Sequence, residues 1–491
     1  MATNAAGEQL KYRADDPQRI KRIRSGRLFG REVVIVAALA IGAAAIAMTT
    51  THRQDLAGHG SALPTGRSAW QCEAEPLIYP GWWDAALKGE APLDGGTDGW
   101  RTAGPSVVKV GSGESAKYWM YYLADQPDET SPIRFIGRTR ILRAEASVSE
   151  PAKFTPANVA MEFWGPWSPP EGENGEVYSD EYYRSSPYYG AVLPTLDDEG
   201  LPKKAQDGTF EPWFMYFHTA GSALSVAVRH DGGITFTVPD ELGINPLFPF
   251  EVFRDPADPT NMRRAPIEAK SKVYDQSAAG SATAVRASDG KIILYYTARL
   301  WSNYTLDDLA ATNEQVGHPD GAIPDYGIGY AESYDGIHFT RRTALSLGVT
   351  SPAANGVGRI IEPRFHNGPE GELEYVVSRP MVFEDGTDPA SGKPLYRMTV
   401  SSHSKSYRVR TLHSTDLINW FWNSSPAEGL FGFGPPGSFD DSSTAYASCM
   451  REQLPNGAEE YRCWYTGNRY GHHAADKTGI GYCKLPVPHQ G

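Results

Sequence analysis

The sequence predicts an all-β protein, a five-bladed β-propeller preceded by one N-terminal transmembrane helix. One pattern of three short strands recurs five times, and no stretch after residue 70 shows a sustained 3.6-residue period. The 26 Tyr, 12 Trp and 50 Gly residues favour strands joined by turns. A length of 491 residues leaves the domain count open, because a propeller uses several hundred residues as one unit.

Each repeat contains a short apolar strand, a polar turn, an aromatic strand and a third strand with small residues. One such sheet cannot cover both of its faces, whereas five sheets around an axis bury one another. Ring closure requires the last blade to be tied to the start of the chain, and we expect a strand or a disulfide near Cys72 to do this. The predicted strands are 104–108, 118–122 and 135–137; 188–193, 213–217 and 225–228; 280–285, 292–296 and 327–331; 360–365, 374–377 and 408–412; and 443–449, 461–465 and 479–483.

The transmembrane helix is predicted at residues 33–51, which carry no charge and are mostly Ala, Ile and Val. Residues 1–32 carry an excess of four positive charges and are predicted to be a cytoplasmic basic tail by the positive-inside rule. A cleaved signal peptide is the alternative, because residues 45–47 resemble a small-residue cleavage site. We interpret residues 52–69 as a linker and residues 70–491 as the propeller, which is then periplasmic or extracellular.

The charge of the chain excludes a nucleic-acid partner. The formal net charge is −13, and without residues 1–32 it is −17, which would repel a phosphate backbone. The sequence has no phosphate-binding loop, so no organic cofactor is predicted, and it does not predict an oligomeric state.

The four cysteines agree with export. None lies in a CxxC pair, which argues against a zinc site and allows disulfides. Cys449 and Cys463 are equally distant from Asn456, as expected for opposite positions of a hairpin. Cys463 could equally face Cys483 on the next pair of strands, so the connectivity stays open.

The candidate functional residues follow from the predicted funnel. The first strand of each blade lines the centre of a propeller, so residues on or just before these strands converge. A long insertion at 160–190 adds aromatic side chains that could stack on sugar rings or cover the rim of the propeller. The candidates are Asp98, Trp100, Arg101, Trp164, Tyr188, Asp275, Glu362, Arg364, Asp440 and Asp441.

The repeats resemble those of the five-bladed propeller glycosidases, the glycoside hydrolase families 43, 62, 32 and 68, which act mainly on furanosides. The resemblance rests on YYTA at 295–298, GIGYAESYDG at 327–336 and HSTDLINW at 413–420, and it covers most of residues 95–485. It implies a carbohydrate substrate such as an arabinan or a fructan, and it allows a structural calcium ion in the funnel.

Glycoside hydrolysis requires one protonated and one ionised carboxyl group on either side of the bond. We assign Glu362 as the general acid, because desolvation would raise the pKa of a Glu on an inner strand. The resemblance implies a base or nucleophile from the first blade and a supporting Asp from the second or third. Family 43 usually has Asp immediately before Pro-Ser in the first blade, but this chain has Gly104 there. Asp98 is therefore assigned as the base or nucleophile and Asp275 as the orienting acid.

The predicted function is a glycoside hydrolase or transglycosylase that acts on furanoside-containing glycans at the cell envelope. Its sugar-binding residues would be Trp100, Arg101, Trp164, Tyr188, Arg364 and Asp441. The alternative is a non-catalytic propeller that binds an envelope polysaccharide or a protein, which the loss of the family's first-blade Asp would fit.

Overall fold

The structure is a computed structural model, and nearly all of its regular elements are β-strands. Helices are confined to Trp82–Lys88, Ala344–Leu347 and a 3₁₀ turn at Gly113–Ser115 among the residues described. No helix within that set is long and apolar enough to cross a bilayer, and the predicted span at 33–51 lies outside it. The described residues are 62–88, 101–126, 138–162, 187–219, 224–239, 247, 278–305, 322–354, 358–363, 374–403, 406–423, 429–454, 456–468 and 479–487.

The strands group into five units of antiparallel neighbours that follow one another along the chain, and a parallel pair at Tyr326 and Val376 joins units 3 and 4 in one sheet. Unit 1 contains β2 (Arg101–Val110), β3 (Lys117–Gln126), β4 (Arg138–Ser147) and β5 (Thr155–Met161), and unit 2 contains β6 (Pro187–Leu193), β7 (Trp213–Thr219) and β8 (Leu224–Arg229). Unit 3 contains β9 (Ala278–Arg286), β10 (Ile292–Thr305), β11 (Ala322–Ser333) and β12 (Thr340–Arg342). Unit 4 contains β13 (Val376–Thr387), β14 (Pro394–His403), β15 (Tyr407–Ser414) and β16 (Phe421–Trp422), and unit 5 contains β17 (Thr444–Gln453), β18 (Glu459–Gly467), β19 (Gly479–Pro486) and β1 (Gln71–Cys72).

The repeat pattern located the first strand correctly in every unit except the fourth. There the sequence predicted a first strand at 360–365, but the observed first strand is β13, which begins at Val376. Residues 374–377, predicted as a second strand, lead into β13 instead. The predicted strand at 135–137 lies outside the described residues, and the third strand of unit 1 begins at Arg138.

The first strands of the five units form a closed ring. Strand β2 contacts β6, β6 contacts β9, β9 contacts β13, β13 contacts β17, and β17 contacts β2. Buried apolar clusters fill the spaces between neighbouring units, as between Tyr118 of unit 1 and Trp464 of unit 5. This packing is consistent with a propeller-like fold, because each sheet covers a face of the next.

Every first strand carries a β-bulge at the same place, where its register with the second strand shifts. One residue at each bulge has a positive φ, between 37° and 62°. Such backbone angles are costly for residues other than glycine and persist only where the surrounding structure holds them. We call these five the bulge residues: Gly104, Tyr189, Ser281, Arg379 and Tyr446.

Three bulges are held by a hydroxyl group from the preceding unit. The backbone N–H of Gly104 donates to Thr466 Oγ1 at 2.9 Å, and that of Arg379 donates to Thr297 Oγ1 at 2.9 Å. The N–H of Tyr446 donates to Ser401 Oγ at 2.8 Å. Because each hydroxyl lies on a second strand, these bonds join neighbouring units at the level of the bulges.

The first described residues close the ring on unit 5. Cys72 of β1 pairs with Cys483 of β19, and a disulfide joins these two residues, as the sequence predicted. A second disulfide joins Cys449 to Cys463 across the β17–β18 hairpin, which settles the connectivity. Residues 62–69, inside the predicted linker, also pack on the fold: the Leu63 side chain is buried there.

We expect the Cys72–Cys483 disulfide to stabilise the fold more than the Cys449–Cys463 disulfide does. It closes a loop of 411 residues against 14 for Cys449–Cys463, so loop-closure entropy predicts contributions of about 6 and about 3 kcal/mol. Replacing Cys72 and Cys483 with Ser should therefore lower the unfolding midpoint in denaturant further than replacing Cys449 and Cys463. Equal midpoints for the two double variants would contradict this closure model.

Candidate functional site

The five bulge residues meet at the centre of the strand ring. They surround a small void of about 30 Å³, which is room for one water molecule or one ligand oxygen atom. Because the bulges tilt these residues out of the strand register, their side chains approach one another rather than pairing across a sheet. The void is lined by Gly104, Pro105, Tyr189, Gly190, Ala191, Ser281, Ala282, Arg379, Pro380, Met381 and Tyr446.

The guanidinium group of Arg379 lies against two tyrosine rings at this centre. Its carbon is 3.7 Å from the ring centroid of Tyr189 and 3.8 Å from that of Tyr446. The two ring centroids are 5.4 Å apart. Atom Nη1 of Arg379 is buried and has no hydrogen-bond partner in the described part of the chain. The rings therefore hold the cation by cation–π contact.

Further rings extend from both tyrosines. On one side His218 stacks on Tyr188 with centroids 5.5 Å apart, and its Nδ1 lies 2.8 Å from Ser281 Oγ. On the other side the ring centroid of Tyr407 lies 6.1 Å from that of Tyr446 and 4.2 Å from that of His403. We call this group the axial aromatic site: Tyr188, Tyr189, His218, Arg379, His403, Tyr407 and Tyr446.

The axial aromatic site combines apolar ring faces, imidazole nitrogens and a cation; His218, Arg379 and Tyr407 are partly buried and the other members are buried. Aromatic faces and fixed donors suit the two sides of a sugar ring, its C–H face and its hydroxyl edge. None of the seven members is a carboxylic acid, so these residues cannot supply the acid and base of glycoside hydrolysis.

The position of the family's first-blade Asp is filled by another side chain. A Cβ atom placed on Gly104 would lie 2.5 Å from Cδ1 of Tyr189, far inside contact distance. Tyr189 therefore occupies the space that a side chain at position 104 would need.

Glu362, the predicted general acid, does not lie on an inner strand. Its segment pairs with unit 3, where Ile361 forms a bridge with Ile328 of β11 and the N–H of Glu362 donates to Ala353 O at 2.8 Å. The carboxylate forms an ion pair with Arg359, and both side chains are largely buried. The ion pair places the positive charge of Arg359 directly beside this carboxylate.

Asp440 and Asp441 serve the packing of unit 5. Asp440 is fully buried, pairs with Arg67 and accepts a hydrogen bond from Tyr465 Oη at 2.6 Å. Burial first, and then the Asp440 carboxylate, raise the pKa of Tyr465 above its usual range. Asp441, a predicted sugar ligand, accepts from Gly437 N–H at 2.7 Å and from the Asn468 amide at 2.9 Å.

Of the other predicted site residues, Tyr188 lies in the axial aromatic site. Arg101 begins β2 and pairs with Asp125 through the backbone, but its side chain is outside the part that the structure describes. The remaining five also lie outside the described residues: Asp98, Trp100, Trp164, Asp275 and Arg364.

Sequence analysis missed most of the axial aromatic site. Tyr189, His218, Arg379 and Tyr446 were not selected, although one signal was present. Gly104 and Arg379 each precede a proline, and aligning these two dipeptides would have placed β13 and its bulge correctly. A second missed feature is the fully buried Glu374–Arg410 ion pair just before β13.

The residues at the axis do not fit the structural calcium ion that the resemblance allows. Calcium requires six to eight oxygen ligands, often carboxylates, whereas the bulge positions include a guanidinium and no acid. Within the described ranges there is no cluster of three or more His, Cys, Asp or Glu residues placed to hold a metal ion.

No protein-family model matches the chain, and no curated protein matches it either. Solved structures do match. The structure of a BT0996 complex has 13% identity, covers 87% of this chain and 93% of its own, and gives a TM-score of 0.47. Zg3597, a family 117 glycoside hydrolase from the marine bacterium Zobellia galactanivorans, has 12% identity, coverage of 87% and 91%, and a TM-score of 0.42.

A thermostable family-43 glycoside hydrolase is similar at 12% identity, with coverage of 80% and 90% and a TM-score of 0.38. The resemblance predicted from the sequence is confirmed to this extent, since solved structures similar to this chain include propeller-type glycoside hydrolases. At such identities and TM-scores the likeness carries no argument about substrate or activity.

We expect Gly104→Asp, which places the family's carboxylate at the axis, to lower the melting temperature by colliding with Tyr189. Tyr189→Ala should recover stability in that background, with a coupling of about 1 kcal/mol or more. Thermal unfolding of both single variants and the double variant measures this coupling. Strictly additive effects would show that Tyr189 does not exclude a side chain at position 104.

Proposed function

We propose that this protein binds glycans outside the cytoplasm and that the axial aromatic site contacts the sugar. The observation that carries the proposal is the cluster of rings and donors at the centre of the strand ring, between Tyr188 and Tyr407. The two disulfides support an oxidising, extracytoplasmic location. The closed ring of first strands supports five blades around one axis.

The finer parts of the proposal rest on the sequence. The family resemblance supports a furanoside-containing glycan, arabinan-like or fructan-like, and the apolar run at 33–51 supports attachment to the cell envelope. If that run is cleaved, the protein is secreted rather than anchored.

Of the two candidate functions, non-catalytic glycan binding agrees better with the described residues. Tyr189 fills the space beside Gly104, and the axial aromatic site contains no acid. Glu362 forms an ion pair with Arg359 instead of standing alone as a proton donor. Among the described residues, these features leave the axis without a carboxylate pair that could cleave a glycosidic bond.

The glycoside hydrolase or transglycosylase is the second candidate, with Asp98, Asp275 and Glu362 as its acids. The observation in its favour is that β2 and β9 belong to one ring, and Asp98 and Asp275 stand just before these two strands in the sequence. In this candidate Glu362 is the general acid, Asp98 the base or nucleophile and Asp275 the orienting acid.

A pattern in the repeats gives Asp98 and Asp275 another role. Asp98, Asp275 and Asp440 each stand six residues before a bulge residue, and the second strand of the same unit has a tyrosine opposite that bulge. Units 2 and 4 have neither the Asp nor the Tyr. Since Asp440 accepts a hydrogen bond from Tyr465, we propose that Asp98 and Asp275 bind Tyr122 and Tyr296 in the same structural way.

Binding and turnover of arabinan, fructan and sucrose by the purified full-length protein test the proposed function. We expect binding by calorimetry without release of reducing sugar. Tyr446→Ala should weaken binding at least about fivefold, because a stacking contact contributes about 1 kcal/mol. The control is Tyr334→Ala, since Tyr334 is 73% exposed and lies outside the axis. Turnover by the wild type that Glu362→Gln or Asp98→Asn abolishes would overturn the non-catalytic proposal.

A double-mutant cycle tests the structural role of Asp98. Asp98→Asn and Tyr122→Phe should each lower the free energy of unfolding by about 1 to 2 kcal/mol, and the double variant should lose little more than either one. Asp440→Asn with Tyr465→Phe is the reference cycle, because that hydrogen bond is observed. An unchanged free energy of unfolding for Asp98→Asn, together with lost turnover, would assign Asp98 to catalysis.

A further inference from the structure

Arg379 differs from the other buried or partly buried arginines around it. Arg359 pairs with Glu362, Arg397 with Asp385, and Arg410 with Glu374. No carboxylate forms an ion pair with Arg379 in the described part of the chain, and its Nη1 atom has no hydrogen-bond acceptor there.

A guanidinium without an anion is unfavourable inside a protein. Transfer of a charge from water into a low-dielectric site costs free energy unless a counter-charge or hydrogen bonds replace the water. The tyrosine faces of Tyr189 and Tyr446 offset part of this cost, but they do not accept the in-plane N–H hydrogen bonds of the guanidinium.

The position of Arg379 is also fixed before any ligand binds. Its backbone is held at a φ of 53°, and its N–H donates to Thr297 at 2.9 Å. Two rings contact the guanidinium carbon within 4 Å, at 3.7 and 3.8 Å. A charged donor held in this way loses little conformational entropy when an anion binds.

The void beside Arg379 limits what can enter. Its volume of about 30 Å³ admits one oxygen atom of a carboxylate but not a whole sugar ring. A ligand would therefore insert one oxygen of its charged group at the axis and keep its rings outside the void, against the partly buried side chains of His218 and Tyr407. Residues 33–491 carry a net charge of −17, which repels anions at long range. The attraction between Arg379 and an anion therefore acts only at short range, within this site.

We propose that Arg379 is an anion receptor and that the glycan bound at the axial aromatic site carries a carboxylate, as a uronic acid does. This inference rests on the proposed glycan-binding function and names the chemical class of its ligand. Atom Nη1 of the guanidinium donates a charge-assisted N–H···O bond to the carboxylate oxygen that enters the void, and the tyrosine and histidine rings contact the sugar. The same chemistry also admits a free carboxylate, which the experiment separates from the sugar.

The test compares a trigalacturonate with its carboxyl-reduced, neutral counterpart, using the full-length protein and calorimetry at pH 7. We expect the acidic trisaccharide to bind at least about tenfold more tightly. Arg379→Met should abolish this preference, and Arg379→Lys should retain part of it, because Lys keeps the charge but not the planar guanidinium that lies against the two tyrosine rings. Arg286→Met is the matched control, since Arg286 lies over the ring of Phe214, outside the axis.

Equal affinities of the wild type for both trisaccharides, or a preference that survives Arg379→Met, would overturn the inference. Acetate alone separates the inference from the proposed function. Acetate binding that depends on Arg379, without binding of any glycan, would keep the anion receptor and refute glycan binding. Binding of the neutral trisaccharide without binding of acetate would keep glycan binding and refute the anion receptor.

Discussion

Contact between five first strands in a closed ring is the constraint on which the site depends. Gly104 and Tyr446 are far apart in the sequence, yet both reach the axis because β17 contacts β2. Without that last contact the ring would be an open row of sheets with two uncovered faces. The bulges then place one residue of each first strand next to the others. Closure and bulges together make a site out of residues that no local element could assemble.

The same constraint separates what the sequence could predict from what it could not. Strands such as β3 and β18 are aromatic, apolar and bounded by turns, so their pattern can be recognised locally. Strand β13 contains Glu384 and Asp385, and its charge pattern hides a strand from such a search. Asp385 is buried only because Arg397 and Tyr461 come to it from other strands, and these partners are visible only in the folded protein.

The candidate site was predictable in place but not in composition. The expectation that inner strands converge was correct, and it selected Tyr188. It also selected acids that stand before the strands, because turn residues and funnel residues look alike in one sequence. The backbone angle that turns Tyr189 and Arg379 toward the axis is set by tertiary contacts, including the hydroxyl of Thr297. Such angles cannot be derived from residue type, since bulky residues rarely adopt them.

The paired cysteines of unit 5 impose an order on the maturation of the protein. Cys449, Cys463, Cys483 and Cys72 are aligned in one row across the four strands of that unit. Cys483 leaves the ribosome 411 residues after Cys72, while Cys449 and Cys463 are separated by 14. The hairpin bond can therefore form early, whereas the earlier half of the other bond has to stay reduced and accessible throughout translocation. The Cys72–Cys483 bond can form only after the last strand has been made, so thiol oxidation completes the molecule.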